Sequence, residues 1–314
     1  MSMGLNVVES WRDLPAELRG AAVALGAFDG VHRGHRAVIA AAAQAARSLG
    51  APLGVVTFEP HPRRFFVPDA PPFRLTNPDQ QARILAGLGV ERLYRLPFDA
   101  RLAALSDEAF AREVLAGGLG ARHVAVGADI TFGRGRSGDA AGLARYGAAL
   151  GFGTTAVPLL KDEGAKCSST AVRAAVQDGR PEEAAALLGR PFAIEGVVVH
   201  GDHLGRELGF PTANMALGDY VRPAEGIYAA RTRLPDGREV AGVAYVGSRP
   251  TVDGADERLE VNLFDFDEDL YGQTLETDLV AFVRGDRRFD GLDALKAQIA
   301  EDCRKVRALL LPAL

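Results

Sequence analysis

The sequence predicts an α/β protein in two parts: an N-terminal doubly wound parallel sheet, then a small closed β-barrel that ends in a helix. Three observations predict this. From Val23 to Pro158, short β-like runs alternate with Ala-rich helical stretches, the pattern of a parallel sheet wrapped by helices. From Phe192 to Val283, closely spaced β-like runs are punctuated by Gly and Pro, as in a barrel. At 314 residues the chain has room for about two domains.

In the first part, strands are expected over Val23–Phe28, Leu53–Phe58, Arg92–Leu96, His123–Val126 and Thr154–Pro158. Helices are expected over His35–Ser48, from Asn77 to Leu88 with Pro78 at the first position, over Ser106–Leu115 and over Gly138–Leu150. Short helices follow over Ser169–Gln177 and Pro181–Leu188, and the domain boundary is placed near Arg180–Gly189, giving domains 1–185 and 186–314. In the second part, strands are expected over Ala193–Val199, Gly226–Thr232, Glu239–Tyr245, Leu259–Leu263 and Thr277–Val283, with a turn at Pro235-Asp236-Gly237. Leu292, Leu295, Ile299, Val306, Leu309 and Leu310 recur near one face of a closing amphipathic helix.

Composition excludes several classes. Net charge is −5, from 36 basic and 41 acidic residues, which argues against a general nucleic-acid binder. Cys167 and Cys303 are the only cysteines, too few for a disulfide framework or a zinc set. The first twenty residues are too polar for a secretory signal, and no apolar run is long enough to span a membrane. A cytoplasmic protein without membrane partners is expected; the sequence leaves a homo-oligomer open.

The most informative segment is Gly26-Ala27-Phe28-Asp29-Gly30-Val31-His32-Arg33-Gly34-His35, directly after an apolar run. It sets two imidazoles one turn apart at a helix mouth, where unpaired N–H groups and the positive dipole end favour phosphate. Glycines let a phosphate chain approach the backbone. The bland alternative is a helix start with two solvated histidines. The segment resembles the histidine-x-glycine-histidine signature of nucleotidyltransferases, and in its fuller form the bacterial bifunctional riboflavin kinase/FAD synthetase family. Thr57-Phe58-Glu59-Pro60-His61-Pro62, Gly127-Ala128-Asp129-Ile130-Thr131-Phe132-Gly133 and Ser168-Ser169-Thr170-Ala171-Val172-Arg173 resemble further motifs of that family. On the residues alone, the serine–threonine run is explained equally well by helix capping.

In the second part, Gly201, Gly205 and Gly209 precede Phe210-Pro211-Thr212-Ala213-Asn214, which matches the riboflavin kinase signature. Gly247-Ser248-Arg249-Pro250-Thr251, Leu259-Glu260-Val261-Asn262 and Phe282-Val283-Arg284 with Phe289 resemble its later segments. Leu204, Tyr245 and Asn262 depart from it: relatives often carry a basic residue, an Asn or small residue, and a His there.

The resemblance covers nearly the whole chain in the family's order. It implies a nucleotidyltransferase-like first domain that adenylylates FMN and a second that phosphorylates riboflavin. Riboflavin, FMN, FAD and ATP are then substrates and products, and apoflavoproteins are recipients of FAD. The implied catalytic residues are His32, His35 and Glu260, the last as general base. ATP and phosphate fall to Gly26, Phe28, Asp29, Gly34, Ser168, Ser169, Thr170 and Arg173 in the first domain, and to Gly201, Gly205, Gly209, Thr212 and Asn214 in the second. Mg²⁺ falls to Thr212 and Asn214, and flavin to Asp129, Phe132, Arg284 and Phe289.

Other readings compete. Gly133–Gly138 matches G-x-G-x-x-G and would mean a nicotinamide oxidoreductase, but it follows the fourth predicted strand and no acidic residue closes the next. Asp265, Asp267, Asp269 and Glu276 fit a calcium loop except at its glycine position, which is Leu270. A flavin-binding sensor without turnover, or a chain active only as an adenylyltransferase, remains open on sequence.

Overall fold

The computed structural model describes residues 4–162, 165–201, 205, 208–251 and 254–311. The chain divides into two compact units, Met1–Pro71 with Pro78–Ser168, and Pro72–Asn77 with Ser169–Leu314.

The first unit is built on six parallel strands: β1 (Asn6–Val8), β2 (Ala22–Leu25), β3 (Leu53–Glu59), β4 (Arg92–Pro97), β5 (His123–Gly127) and β6 (Gly153–Val157). Their order is β1-β4-β3-β2-β5-β6. Every residue of β2 is buried, as a central strand covered on both faces requires. One face packs on helix α1 (Arg33–Leu49) through Val38, Ile39, Ala42 and Ala46, and on Leu85 of α2 (Pro78–Gly87). The other packs Val23, Val56, Tyr94 and Val124 against Phe110, Val114 and Leu115, and against Leu143 of α3 (Ala140–Leu150). The doubly wound sheet is therefore as expected. The chain runs outward from β2 to β3 and β4, then returns to the far side of β2 with β5. That reversal makes a topological switch point between β2 and β5, where such sheets bind ligands.

β1 was not foreseen: Asn6–Val8 is too short for alternation to show and forms by pairing with β4. The Ser106 helix differs too. Ser106 caps it, accepting from Ala109 N at 3.1 Å, but Phe110–Gly118 winds with the wider π pattern. Close packing enforces an irregular path there, since a Cβ on Gly118 would sit 2.1 Å from the Trp11 carbonyl oxygen.

The second unit is a closed antiparallel barrel. In chain order its strands are β7 (Phe192–Val199), β8 (Ala213–Ala216), β9 (Gly226–Arg233), β10 (Glu239–Thr251), β11 (Gly254–Leu263) and β12 (Thr274–Gly285). Around the barrel they run β8-β11-β10-β9-β12-β7, and β7 pairs with β8 to close it. β8 was missed because it lies inside the Pro-Thr-Ala-Asn segment, whose proline and glycine neighbours read as loop. The closing helix, α4 (Leu292–Leu310), lays Val306 and Leu310 on the outer barrel face beside Ala229, Val243 and Phe264.

Candidate functional sites

The β2–α1 connection makes the first site. Helix α1 begins at Arg33, earlier than expected, so His32 is its N-cap and His35 lies in its first turn. His32 Nδ1 accepts the backbone N–H of His35 at 3.2 Å. In a neutral ring the proton then sits on Nε2, the nitrogen left to donate. The two rings stack at 3.6 Å and 18°, and Phe28 meets His35 edge-on at 5.1 Å. The loop is strained, with positive φ at Phe28 (51°) and at the β-branched Val31 (43°). It is braced from outside: Gln81 Nε2 donates to the carbonyls of Ala27 and Phe28 at 3.1 and 3.0 Å, and Thr57 Oγ1 donates to that of Ala27 at 2.9 Å. Asp29 is buried. Gly34 sits at a close approach: a Cβ would lie 3.1 Å from the His32 ring and 3.2 Å from the Cys167 carbonyl. Cys167 is buried with its Sγ 3.8 Å from His32 Nδ1, and Ser168 follows it.

Asp129 lies exposed in the turn after β5, the strand next to β2; Phe132 packs 5.8 Å from Phe110. The Gly133–Gly138 loop folds back on itself, with Phe132 N to Gly138 O at 3.1 Å and the reverse bond at 2.9 Å. It clamps Asp107, which accepts from Ser137 Oγ at 2.8 Å and Tyr146 OH at 2.7 Å. These bonds hold the Asp107 carboxyl below the usual range. The loop follows β5 rather than β2, so it does not have the place of a dinucleotide fingerprint. Ser169, Thr170 and Arg173 fall in the helix Ser169–Gln177, counted with the second unit. Arg173 Nε there donates to the Phe73 carbonyl at 2.7 Å.

In the barrel, Asn214 of β8 stands opposite Glu260 of β11, and Glu260 opposite Tyr245 of β10. Opposed residues of an antiparallel pair point to one side. Leu259 and Val261 are fully buried, so Glu260 and its partners lie on the outer face. The glycine loop reaches this patch. A Cβ on Gly201 would strike the Asn214 amide at 2.6 Å; one on Gly205 would lie 2.5 Å from the Phe210 carbonyl and 3.3 Å from Thr212 Oγ1. Gly209 takes φ +86°. Leu204 lies outside the described residues.

Two cavities share Thr212. One, of about 310 Å³, is lined by Glu260, Asn262, Tyr245, Arg284, Phe289 and residues of α4. The other, of about 470 Å³, is lined by Val198, Val261, Leu263 and the segment Phe266–Tyr271. Burial, with the carboxylates of Asp286, Glu225 and Glu260 nearby, pushes the Tyr245 phenol up to about 12. Arg284 is fixed to α4: its Nη2 donates to Asp302 Oδ2 at 2.7 Å and its Nε to the same oxygen at 3.0 Å. Gln298 Nε2 donates to Asp302 Oδ1 at 2.7 Å.

The Phe266–Tyr271 wall escaped the sequence reading, which tested its acids only against a calcium loop. The flanks of that loop are strands, and Asp265 is held by Arg307 at 2.8 Å. Among the described residues no cluster of three His, Cys, Asp or Glu could hold a metal.

The FAD synthetase family model matches residues 14–171, and the riboflavin kinase family model matches residues 188–310. A bifunctional riboflavin kinase/FMN adenylyltransferase of Escherichia coli K12 is 43% identical over 287 residues, 91% of this chain and 92% of its own. The chain belongs to the bifunctional riboflavin kinase/FMN adenylyltransferase family. The Pseudomonas fluorescens member is 42% identical and aligns over 98% of this chain and 99% of its own. A crystal structure from Streptococcus pneumoniae, described as a macrolide-efflux protein, superposes with TM-score 0.85 at 34% identity, covering 94% of this chain and 96% of that one. Among the described residues no helix is long and apolar enough to cross a membrane.

Proposed function

We propose that this chain makes FMN and ADP from riboflavin and ATP, then FAD and pyrophosphate from FMN and ATP. The observation that supports the proposal is that one half stacks two histidines at a helix mouth, and the other sets the Glu260 carboxylate opposite the Asn214 amide on one barrel face. We assign adenylyl transfer to residues 1–185 and phosphorylation to 186–314.

In the first reaction Glu260 accepts the proton of the primary ribityl hydroxyl, whose oxygen attacks the γ-phosphorus of ATP as ADP leaves. Riboflavin fits the 310 Å³ cavity that Glu260 lines, beside Arg284 and Phe289. The nucleotide base fits the second cavity, whose apolar floor includes Val198, Val261 and Leu263. Thr212, common to both, then meets the transferring phosphate, with Gly201, Gly205 and Gly209 letting the phosphate chain approach. Thr212 and Asn214 offer neutral oxygen donors; Asn214 Nδ2 lies 3.4 Å from Thr212 Oγ1. That donor set would suit Mg²⁺, a hard cation that prefers oxygen ligands. Mg²⁺ held by Thr212 and Asn214 would supply charge neutralisation to the transferring phosphate.

In the second reaction the FMN phosphate is already anionic and attacks the α-phosphorus of ATP without a strong base. His32, through Nε2, and His35 stabilise the charge that builds there. The backbone around Gly26, Phe28, Asp29 and Gly34 receives the nucleotide, and Asp129 and Phe132 the flavin. For Ser168, Ser169, Thr170 and Arg173, a role in holding pyrophosphate rests on the sequence motif. The free cysteines, Cys167 buried and Cys303 half-buried, fit a cytoplasmic enzyme, with apoflavoproteins as recipients of its FAD.

The test is chromatography of products after incubating the protein with ATP and Mg²⁺ plus either riboflavin or FMN. FMN followed by FAD from riboflavin is expected. FAD from FMN alone would remove the kinase assignment, and no product from folded protein would remove both.

A further inference from the structure

Backbone pairing between β8 and β11 begins at Ala213–Val261 and continues through Asn214–Glu260. Carried one step back, the same register sets Thr212 opposite Asn262. Thr212, Asn214, Glu260 and Asn262 are then four corners of one patch on the outer face. Thr212 lies just before the first described rung, and Pro211 before it has no N–H to offer. Asn262 supplies a rung from its side chain: Nδ2 donates to the Pro211 carbonyl at 2.7 Å. Its Oδ1 faces the Cys303 thiol of α4 at 3.9 Å. The Pro211 contact sets the sense of the amide, because the flipped form would place oxygen against the Pro211 oxygen.

We infer that Asn262 is a positioning residue for riboflavin phosphorylation, bracing Pro211 so that Thr212 is held at the junction of the two cavities. The inference rests on the kinase reading above. It also gives a role to the Asn that replaces the family's frequent His: either side chain can present an N–H to a carbonyl.

The test is steady-state kinetics on the full chain, with FMN adenylylation measured beside riboflavin phosphorylation. Asn262→Ala is expected to lower kcat/KM for MgATP about tenfold, the loss of one braced contact, with FMN adenylylation unchanged. Asn262→Asp keeps the volume but sets an acceptor against Pro211, so it should be at least as impaired; Asn262→His should recover to within about threefold of the parent. An unchanged kcat/KM for MgATP in Asn262→Ala, an equal loss of FMN adenylylation, or a wild-type Asn262→Asp would overturn the inference. Glu260→Gln separates the two levels: if it phosphorylates riboflavin normally, the kinase reading falls and not merely the brace.

Discussion

On the proposed reading, the helix mouth at His32 and the barrel patch at Glu260 would handle the same ligand, ATP, by opposite means. The first has strained backbone, buried turns and imidazoles packed ring on ring; in the proposed reaction it would stabilise charge and need no base. The second has regular strands that set a carboxylate opposite an amide, which suits the proposed reaction, where an alcohol must lose a proton. The contrast follows from the nucleophile: a phosphate is already charged, and a hydroxyl is not.

The largest expected effect breaks that contrast cleanly. Glu260→Gln should slow riboflavin phosphorylation by about 10²–10⁴-fold and leave FAD formation from FMN intact. His32→Ala or His35→Ala should do the reverse, by about 10²–10³-fold. Product assays from each substrate would read both; a single substitution that abolished both activities in folded protein would show that the sites are not separate.

A smaller effect concerns how the barrel holds α4. Asp302 is about 1% exposed and bound to Arg284 and Gln298. Asp302→Ala leaves the Arg284 charge without its partner and should cost about 3–5 kcal/mol. Riboflavin phosphorylation should then fail on warming before FMN adenylylation does. Simultaneous loss would show that the two halves share one transition.

The smallest effect is a pH dependence confined to the barrel. Burial, with Glu276 and Glu239 nearby, raises the Asp278 carboxyl from 3.8 to about 6, against the pull of Arg233 and Arg190. The folded state therefore binds its proton more tightly than the unfolded chain. That stabilisation is present below about pH 4 and is lost as pH rises through 6. Asp278→Asn should melt above the parent at pH 8, by on the order of 2 kcal/mol, with the gap closing near pH 4. A gap that did not depend on pH would refute the assignment.

Much of the fold was legible because alternation and capping are local. The central strands, the His-rich helix and the switch from α/β to β are written in contiguous residues. What escaped depends on distant partners. β1 exists because β4 offers an edge, and β8 because β11 passes a segment rich in turn residues. The site divides the same way. Gly34 and the histidines stand together in sequence, whereas the Pro211–Asn262 brace links residues 51 apart and follows only from barrel register. The wall Phe266–Tyr271 carried a signal, its acidic run, but nothing local ties that run to Thr212.

The barrel register also bears on how this chain can change over generations. Along β11, Leu259, Val261 and Leu263 fill the interior, while Glu260 and Asn262 alternate with them and face outward. Apolar and polar side chains thus occupy separate reading frames of one strand. Interior letters can be exchanged among apolar residues of similar volume without touching the outward set. A single-residue insertion or deletion would swap the two frames, burying the carboxylate and exposing the leucines. β11 can therefore drift in composition while its length stays fixed.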